Sequence, residues 1–283
     1  MAFSLLERLG SLVPIGGRWP ALRTFVLFVG YPRSGHSLMG ALINTHPSAI
    51  VSHELDVLGL VEAGKPGRTI LHRIEARDRW FARRGREWAG YQYDFGPAAR
   101  KPRREITVIG DKKGASTTAR LAHAPELLDR LAESVGLQLR LIHHIRDPFD
   151  AIATIARRGP HPYGSGVAAA TKFFFDLVAI NEAIASQRPA DIRHVYHEQL
   201  IERPREVLGS CLEFIGLNPE RLDWASVGKG IFPSPSSSRD SVEWTGAEMD
   251  EVETCIDTHP LLDVYRGTRR PGTPARPATE IGA

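Results

Sequence analysis

A strongly apolar stretch runs directly into a glycine loop in FVLFVGYPRSGHSLMGALINTHP, residues 25–47. The run TFVLFVG has the composition of a strand covered on both faces. The residues from Ser37 to Asn44 predict a helix. A buried strand, a tight loop and a helix in immediate succession are what a parallel sheet with crossover helices requires. Residues 30–37 read G-Y-P-R-S-G-H-S, the phosphate-cradling pattern G-x-x-x-x-G-K-[ST] with His36 at the lysine position. Gly30 and Gly35 permit the tight turn and a close approach of backbone to ligand. The N–H groups at the start of the helix favour an anion, and Arg33 adds forked donors suited to phosphate or sulfate oxygens. A largely neutral histidine is a poor substitute for a permanent charge beside a triphosphate. The loop therefore points to a ligand with a single phosphate at this end.

The rest of the chain alternates between short apolar runs and helical patterns. Strands are predicted at 49–53 (AIVSH), 105–110 (EITVIG), 137–145 (LQLRLIHHI) and 192–197 (IRHVYH). Helices are predicted near 55–63, 118–134, 148–158, 166–187 and 204–216. Thr245 and Glu248 form a capping box that opens a further helix toward His259. The expected fold is a three-layer α/β/α sandwich with a central parallel sheet, one domain over residues 1–266. Leu5, Leu6, Leu9, Leu12 and Val13 can line one face of a short helix docked on the body. The tail 267–283, rich in Pro, Gly and Arg, is expected to be disordered. One segment interrupts the alternation. Residues 65–104 carry twelve Lys/Arg against four Asp/Glu, interspersed with Trp80, Phe81, Trp88, Tyr91, Tyr93 and Phe95. This insertion is either a lid that receives an acceptor or a solvated excursion anchored by its aromatics.

Composition narrows the function classes. Of 283 residues, 42% are hydrophobic and 24% charged, as in an ordinary globular protein. A net charge of +3 is too small to argue for nucleic acid but suits an anionic ligand. Cys211 and Cys255 cannot make a disulfide framework and read as buried thiols. No apolar run approaches the ~18 residues of a membrane span, and the first residues lack the pattern of a signal peptide. No transmembrane anchor and a cytoplasmic location are expected. His143 and His144 lack further ligands at useful spacing, so they read as packing rather than metal ligands.

The segment YPRSGHSL resembles the 5′-phosphosulfate loop of the sulfotransferases, which use 3′-phosphoadenosine 5′-phosphosulfate (PAPS). Arg33 falls on the loop's Lys/Arg position, and Ser34, Gly35 and Ser37 match. His36 replaces a threonine, and Leu38 replaces the tryptophan of the cytosolic branch, which makes the chain more similar to the bacterial and Golgi-type branches. The stretch HHIRDPFDAIATIARR is similar to the family's 3′-phosphate motif, with Arg146, Asp147, Pro148 and Asp150 in place and Thr154 at the serine position. Its residues also predict a helix start, with Asp147 as cap and Pro148 in the first turn. The segments VYHEQLIERPREVLGSCLEFIGL and SSSRDSVEWT resemble later family elements. The resemblance implies a P-loop-like fold, PAPS as sulfuryl donor and no metal. It places Arg33, Ser34, Gly35, His36 and Ser37 on the 5′-phosphosulfate, and Arg146, Thr154 and Arg239 on the 3′-phosphate.

Sulfuryl transfer needs a base for the acceptor's proton and cations for charge developing on the leaving phosphate. Glu54 and His53, within IVSHELD at the end of the second predicted strand, are the base candidates, Glu54 being favoured by the resemblance. Lys112 and Lys113 in GDKKGAS are the lysines expected on the donor. The rival readings are an ATP/Mg²⁺ kinase with Asp111 on the metal, and a silent anion- or partner-binding module. The acceptor class stays open, between carbohydrate, peptide tyrosine, lipid and small metabolite. The basic insertion points to an acidic one.

Overall fold

In the computed structural model, the described residues are 19–95, 105–231, 234 and 237–272. The short N-terminal helix expected around residues 5–13 lies outside them. The chain divides into two compact units, one of residues 1–146 and 180–235, the other of 147–179 and 236–283.

The first unit opens with β1 (Thr24–Gly30), the glycine loop and α1 (His36–Ile43), then β2 (Ala49–His53) and α2 (Val57–Glu62). Next come α3 (Gly67–Arg83), a hairpin of β3 (Glu87–Trp88) and β4 (Tyr91–Gln92), β5 (Val108–Lys112), α4 (Ala115–His123), α5 (Leu127–Val135) and β6 (Gln138–Ile145). After α6 (Pro148–Arg157) and α7 (Val167–Gln187), the chain adds β7 (Ile192–Tyr196), α8 (His197–Glu202), α9 (Pro204–Phe214) and α10 (Trp224–Gly230). The last helix is α11 (Gly246–Thr258).

The central sheet is parallel, in the order β2-β5-β1-β6-β7. Every residue of β1 is buried. Its alternation divides the core into two layers. Phe25, Leu27 and Val29 face α2, α3, α4 and α5 through residues such as Leu58, Ile70, Leu121 and Leu131. Val26 and Phe28 face α1, α8 and α9 through Met39, Leu42, Leu200 and Leu212. The chain leaves β1 toward β2 and β5 on one side, then crosses to β6 and β7 on the other. The carboxyl end of β1 is therefore the topological switch point, where open α/β sheets bind ligands.

One strand differs from expectation. The third long strand covers 108–112 rather than 105–110, so Asp111 and Lys112 lie inside the sheet, both almost fully buried. Two charged residues within a strand weaken its apolar signature. Their neighbours, described below, are what permit their burial. The helical pattern over 118–134 becomes two helices, α4 and α5, divided at Pro125 as proline's missing N–H dictates.

The second unit holds α6, residues 167–179 of α7, a 3₁₀ turn at Arg239–Ser241, α11 and a 3₁₀ turn at Pro260–Tyr265. Phe149 packs edge-on to Trp244 at 5.3 Å, and Phe175 stacks on His259 at 5.7 Å. The capping box forms as read, with Thr245 Oγ1 accepting from the Glu248 N–H and the Glu248 carboxylate accepting from the Thr245 N–H. Residues 267–272, read as the start of a disordered tail, are held instead. Arg270 pairs with Asp250 and Glu253, and the Gly272 N–H donates to Asp240 at 2.7 Å. Cys211 is buried on α9, its thiol pushed up to about 12 by burial, whereas Cys255 is only part-buried. Among the described residues, no helix is long and apolar enough to cross a membrane.

Candidate active site

The glycine loop joins the end of β1 to the start of α1. Its backbone takes left-handed values at Arg33 (φ 65°) and Gly35 (φ 100°). At Gly35 conformation and space act together. A Cβ there would collide with the His197 imidazole and come within 3.1 Å of His144 Nε2. The two histidines stand 3.4 Å apart, ring nitrogen to ring nitrogen. This pair forms the floor under the loop, and no local stretch of the sequence signals it. His197 is more than 160 residues away in the chain and reaches the loop only through β7.

The loop is braced at both ends. The Gly30 N–H donates to Thr118 Oγ1 at 2.9 Å, and that hydroxyl donates to the buried Asn181 Oδ1. Arg146, from the end of β6, donates to the Arg33 carbonyl at 3.1 Å. The two motifs distant in sequence thus meet at one residue. Ser34 is fully buried, donates to the Tyr31 carbonyl and lies 3.2 Å from His36 Nδ1. His36 is therefore a structural member of the loop. Burial, then the charges of Lys112 and Arg33, hold its pKa far below the usual histidine value. A neutral imidazole packs where a lysine's charge would sit. Gly114 makes room for that ring, since a Cβ there would approach it to 2.9 Å.

The next cluster lies at the ends of β2 and β5. Lys112 Nζ donates to Ser37 Oγ at 2.9 Å and to Glu54 Oε1 at 2.6 Å, and it lies 3.4 Å from His53 Nε2. Its stem runs past Gly40 of α1, where a Cβ would already be tight at 3.2 Å from Lys112 Cγ. Burial lowers the Lys112 pKa, and Glu54 opposes that shift. Lys113 is further out, 3.9 Å from the other Glu54 oxygen. The structure thus brings Ser37, His53, Glu54 and Lys112 together, with Lys113 at the edge. His53 is pushed down to about 2, first by burial and then by Lys112. Its neutral ring accepts from the lysine, stacks on Phe81 at 4.3 Å and meets Trp88 edge-on at 5.0 Å.

Glu54 occupies a strained turn. Both Glu54 (φ 57°) and Asp56 (φ 70°) are left-handed, a conformation that costs non-glycine residues ~1–3 kcal/mol each. Asp111 holds the turn in place. Its carboxylate accepts from Ser52 Oγ at 2.7 Å and from the N–H groups of Leu55, Asp56 and Val57 at 3.0–3.2 Å. Asp111 was a candidate metal ligand in the kinase reading. With its oxygens taken up by four donors, it is instead the staple that fixes Glu54.

Arg146 belongs to the first unit, Thr154 and Arg239 to the second. Thr154 Oγ1 donates to the Asp150 carbonyl at 2.8 Å. Arg239 is held between Asp147 (2.8 Å) and Asp150 (2.7 Å), with a further bond to the Arg269 carbonyl. Burial opposes its charge, but the two carboxylates outweigh that and raise its pKa. Asp147 is raised by burial, against the pull of Arg239. These contacts fix the late loop to the first turn of α6.

A family model described as the sulfotransferase family matches residues 26–221. No curated protein sequence matches the chain at a significant level. Solved structures similar to it include a sulfotransferase domain from the Synechococcus PCC 7002 olefin synthase. That domain is 18% identical with a TM-score of 0.48, the alignment covering 89% of this chain and 90% of the other. A sulfotransferase domain from the curacin biosynthetic pathway is 15% identical with a TM-score of 0.49, covering 83% and 98%. The mouse sulfotransferase SULT7A1, complexed with PAP, is 15% identical with a TM-score of 0.46, covering 91% and 93%.

Proposed function

The chain belongs to the sulfotransferase family, and from that premise we propose that it transfers a sulfuryl group from PAPS to an acceptor hydroxyl or amine. The observation that carries this reading is the reach of Lys112, which touches both Ser37 of the glycine loop and Glu54. One cation thereby connects an anion-binding loop to a candidate base. The fit to a phosphosulfate rests on this chain's own groups. Gly35 lets the loop lie directly on the His144–His197 pair, and the N–H groups at the start of α1 favour an anion above it. Arg33 and Lys112 supply positive charge there.

PAPS, when bound, supplies the sulfuryl group and leaves as adenosine 3′,5′-bisphosphate. Glu54 is the proposed base. Its side chain is part-exposed, whereas the His53 ring is buried among aromatics and remains neutral. Before Glu54 can take a proton, Lys112 must release it. An anion at the loop draws Lys112 toward Ser37 and leaves the carboxylate available. Lys113 compensates charge at the rim. Arg146 is assigned to the 3′-phosphate, since it is an arginine already positioned against the loop at Arg33. Arg239 is assigned to holding the late loop on α6, where its donors are engaged, and the Thr154 hydroxyl donates within that helix.

Calorimetric titration tests the donor assignment. Adenosine 3′,5′-bisphosphate is expected to bind far more tightly than AMP, because only the former carries the 3′-phosphate. Turnover with labelled PAPS is expected to persist in EDTA. Equal affinity for the two nucleotides, or turnover that requires ATP and Mg²⁺, overturns the reading.

A further inference from the structure

The basic aromatic insertion at 65–104 is not absorbed by the donor site, yet it touches the transfer residues. Its hairpin places Trp88 directly across from Tyr91. Tyr93 continues the pairing, its N–H donating to the Arg86 carbonyl at 3.0 Å. Side chains two apart on a strand share a face, as do residues directly opposite. Trp88, Tyr91 and Tyr93 therefore form one aromatic strip. One end is open, with Trp88 39% and Tyr91 41% exposed. Trp88 and Tyr93 also reach His53, at 5.0 Å and 6.2 Å between ring centroids. From His53 the path runs through Lys112 to Ser37 in two contacts of 3.4 Å and 2.9 Å. Exposed aromatics on a monomer surface are ordinary singly, but a strip leading to a reaction centre marks a binding surface.

Charge accompanies the strip. Arg83 and Arg84, at the end of α3 just before the hairpin, are exposed and have no ion-pair partner among the described residues. Arg84 and Arg77 both lie over the Trp80 ring, at 5.0 and 4.3 Å. The less exposed cations are already used, the buried Arg86 by Asp78 and the half-buried Arg77 by the His53 carbonyl. The exposed arginines can therefore serve a ligand from solvent.

We propose that this strip and the Arg83–Arg84 corner form the acceptor subsite, and that the acceptor is an acidic oligosaccharide. The proposal rests on the transfer reading above. Flat C–H faces of sugar rings suit the electron-rich faces of the exposed Trp88 and Tyr91 rings. Carboxylate or sulfate groups along the saccharide suit the forked donors of the arginines. An extended peptide is disfavoured, because each hairpin strand is only two residues long and offers no ladder for an added strand.

The test uses the full chain and calorimetry. The probe is a hexasaccharide of alternating glucuronate and N-acetylglucosamine. The comparators are a neutral N-acetylglucosamine hexasaccharide, a phenolic acid and an acidic tyrosine peptide. The acidic hexasaccharide is expected to bind at least ~10-fold more tightly than the neutral one, as charge-assisted contacts imply. Trp88→Ala, and separately Arg83→Glu with Arg84→Glu, are each expected to weaken it by ~10-fold while leaving adenosine 3′,5′-bisphosphate affinity unchanged. Equal binding of the acidic and neutral saccharides overturns the proposal. So does binding of the phenolic acid or peptide alone, or an unchanged saccharide affinity in both variants. If wild type fails to bind the bisphosphate, the transfer reading falls by itself, because saccharide affinity is read without donor.

Discussion

Two buried ionic clusters can be compared, one in each unit. In the first, Lys112 is shared by Glu54, His53 and Ser37. In the second, Arg239 is shared by Asp147 and Asp150. The second is closed. Asp150 also accepts from the N–H groups of Ser238 and Arg239, and Asp147 accepts from the Phe149 N–H. The first is open on one side, since the Glu54 side chain is 21% exposed while Lys112 is 1% exposed. A buried pair with every donor answered resists exchange, because removing one partner strands the other's charge. A pair with one half-hydrated member can open at much lower cost. The contrast separates an ionic cluster built to hold a loop from one able to exchange partners with a ligand.

Four measurements can break or sharpen this contrast, beginning with the largest effect. Glu54→Gln retains shape and removes the proton acceptor. Turnover with PAPS is expected to fall ~10²–10⁴-fold, with bisphosphate affinity little changed. Near-normal turnover in Glu54→Gln beside a dead His53→Ala would move the base to His53. The second measurement is chemical denaturation of Arg239→Met and Lys112→Met. Stranding Asp147 and Asp150 is expected to cost about 3–5 kcal/mol, with Lys112→Met costing well below that because Glu54 can rehydrate. Equal destabilisation would erase the distinction between the clusters.

The third measurement is Arg146→Ala. Loss of a buried charged partner costs ~2–5 kcal/mol in binding, so most of the gap between bisphosphate and AMP is expected to disappear while AMP affinity holds. A preserved gap would relocate the 3′-phosphate site. The last measurement reads the pH dependence of stability. The folded pKa of His53 is about 2, below the ordinary histidine value of 6.5. Between those values the unfolded chain binds the extra proton, so folding stability falls as pH falls below about 6.5. One such group contributes a slope of ~1.4 kcal/mol per pH unit. His53→Asn is expected to reduce the slope over that window by about this amount. An unchanged slope would show that His53 charges freely in the folded protein, and would break the neutral-acceptor assignment beside Lys112.

Much of the frame was legible in the sequence. β1, β2, β6 and β7 fall where short apolar runs placed them, because a strand buried on both faces must be nearly continuous in apolar residues. The glycine loop was legible because Gly30, Gly35 and the helix start are adjacent, and such turn chemistry is local. The extent of β5 was not legible, because the burial of Asp111 and Lys112 depends on partners in other elements.

The sequence by itself determined the order of strands and helices along the chain, the glycine loop and the residue types that line it. Each of those is encoded within a few neighbouring residues, where backbone preference and side-chain period act directly. Tertiary structure alone decided which charges are held and which can exchange. It stapled the Glu54 turn with Asp111 across the β2–β5 pair and seated Gly35 on His144 and His197. It also committed Arg239 to two carboxylates rather than to solvent. Pairings of that kind join residues tens to hundreds of positions apart. Their energies depend on burial and on the full set of partners, which no local stretch of the chain contains.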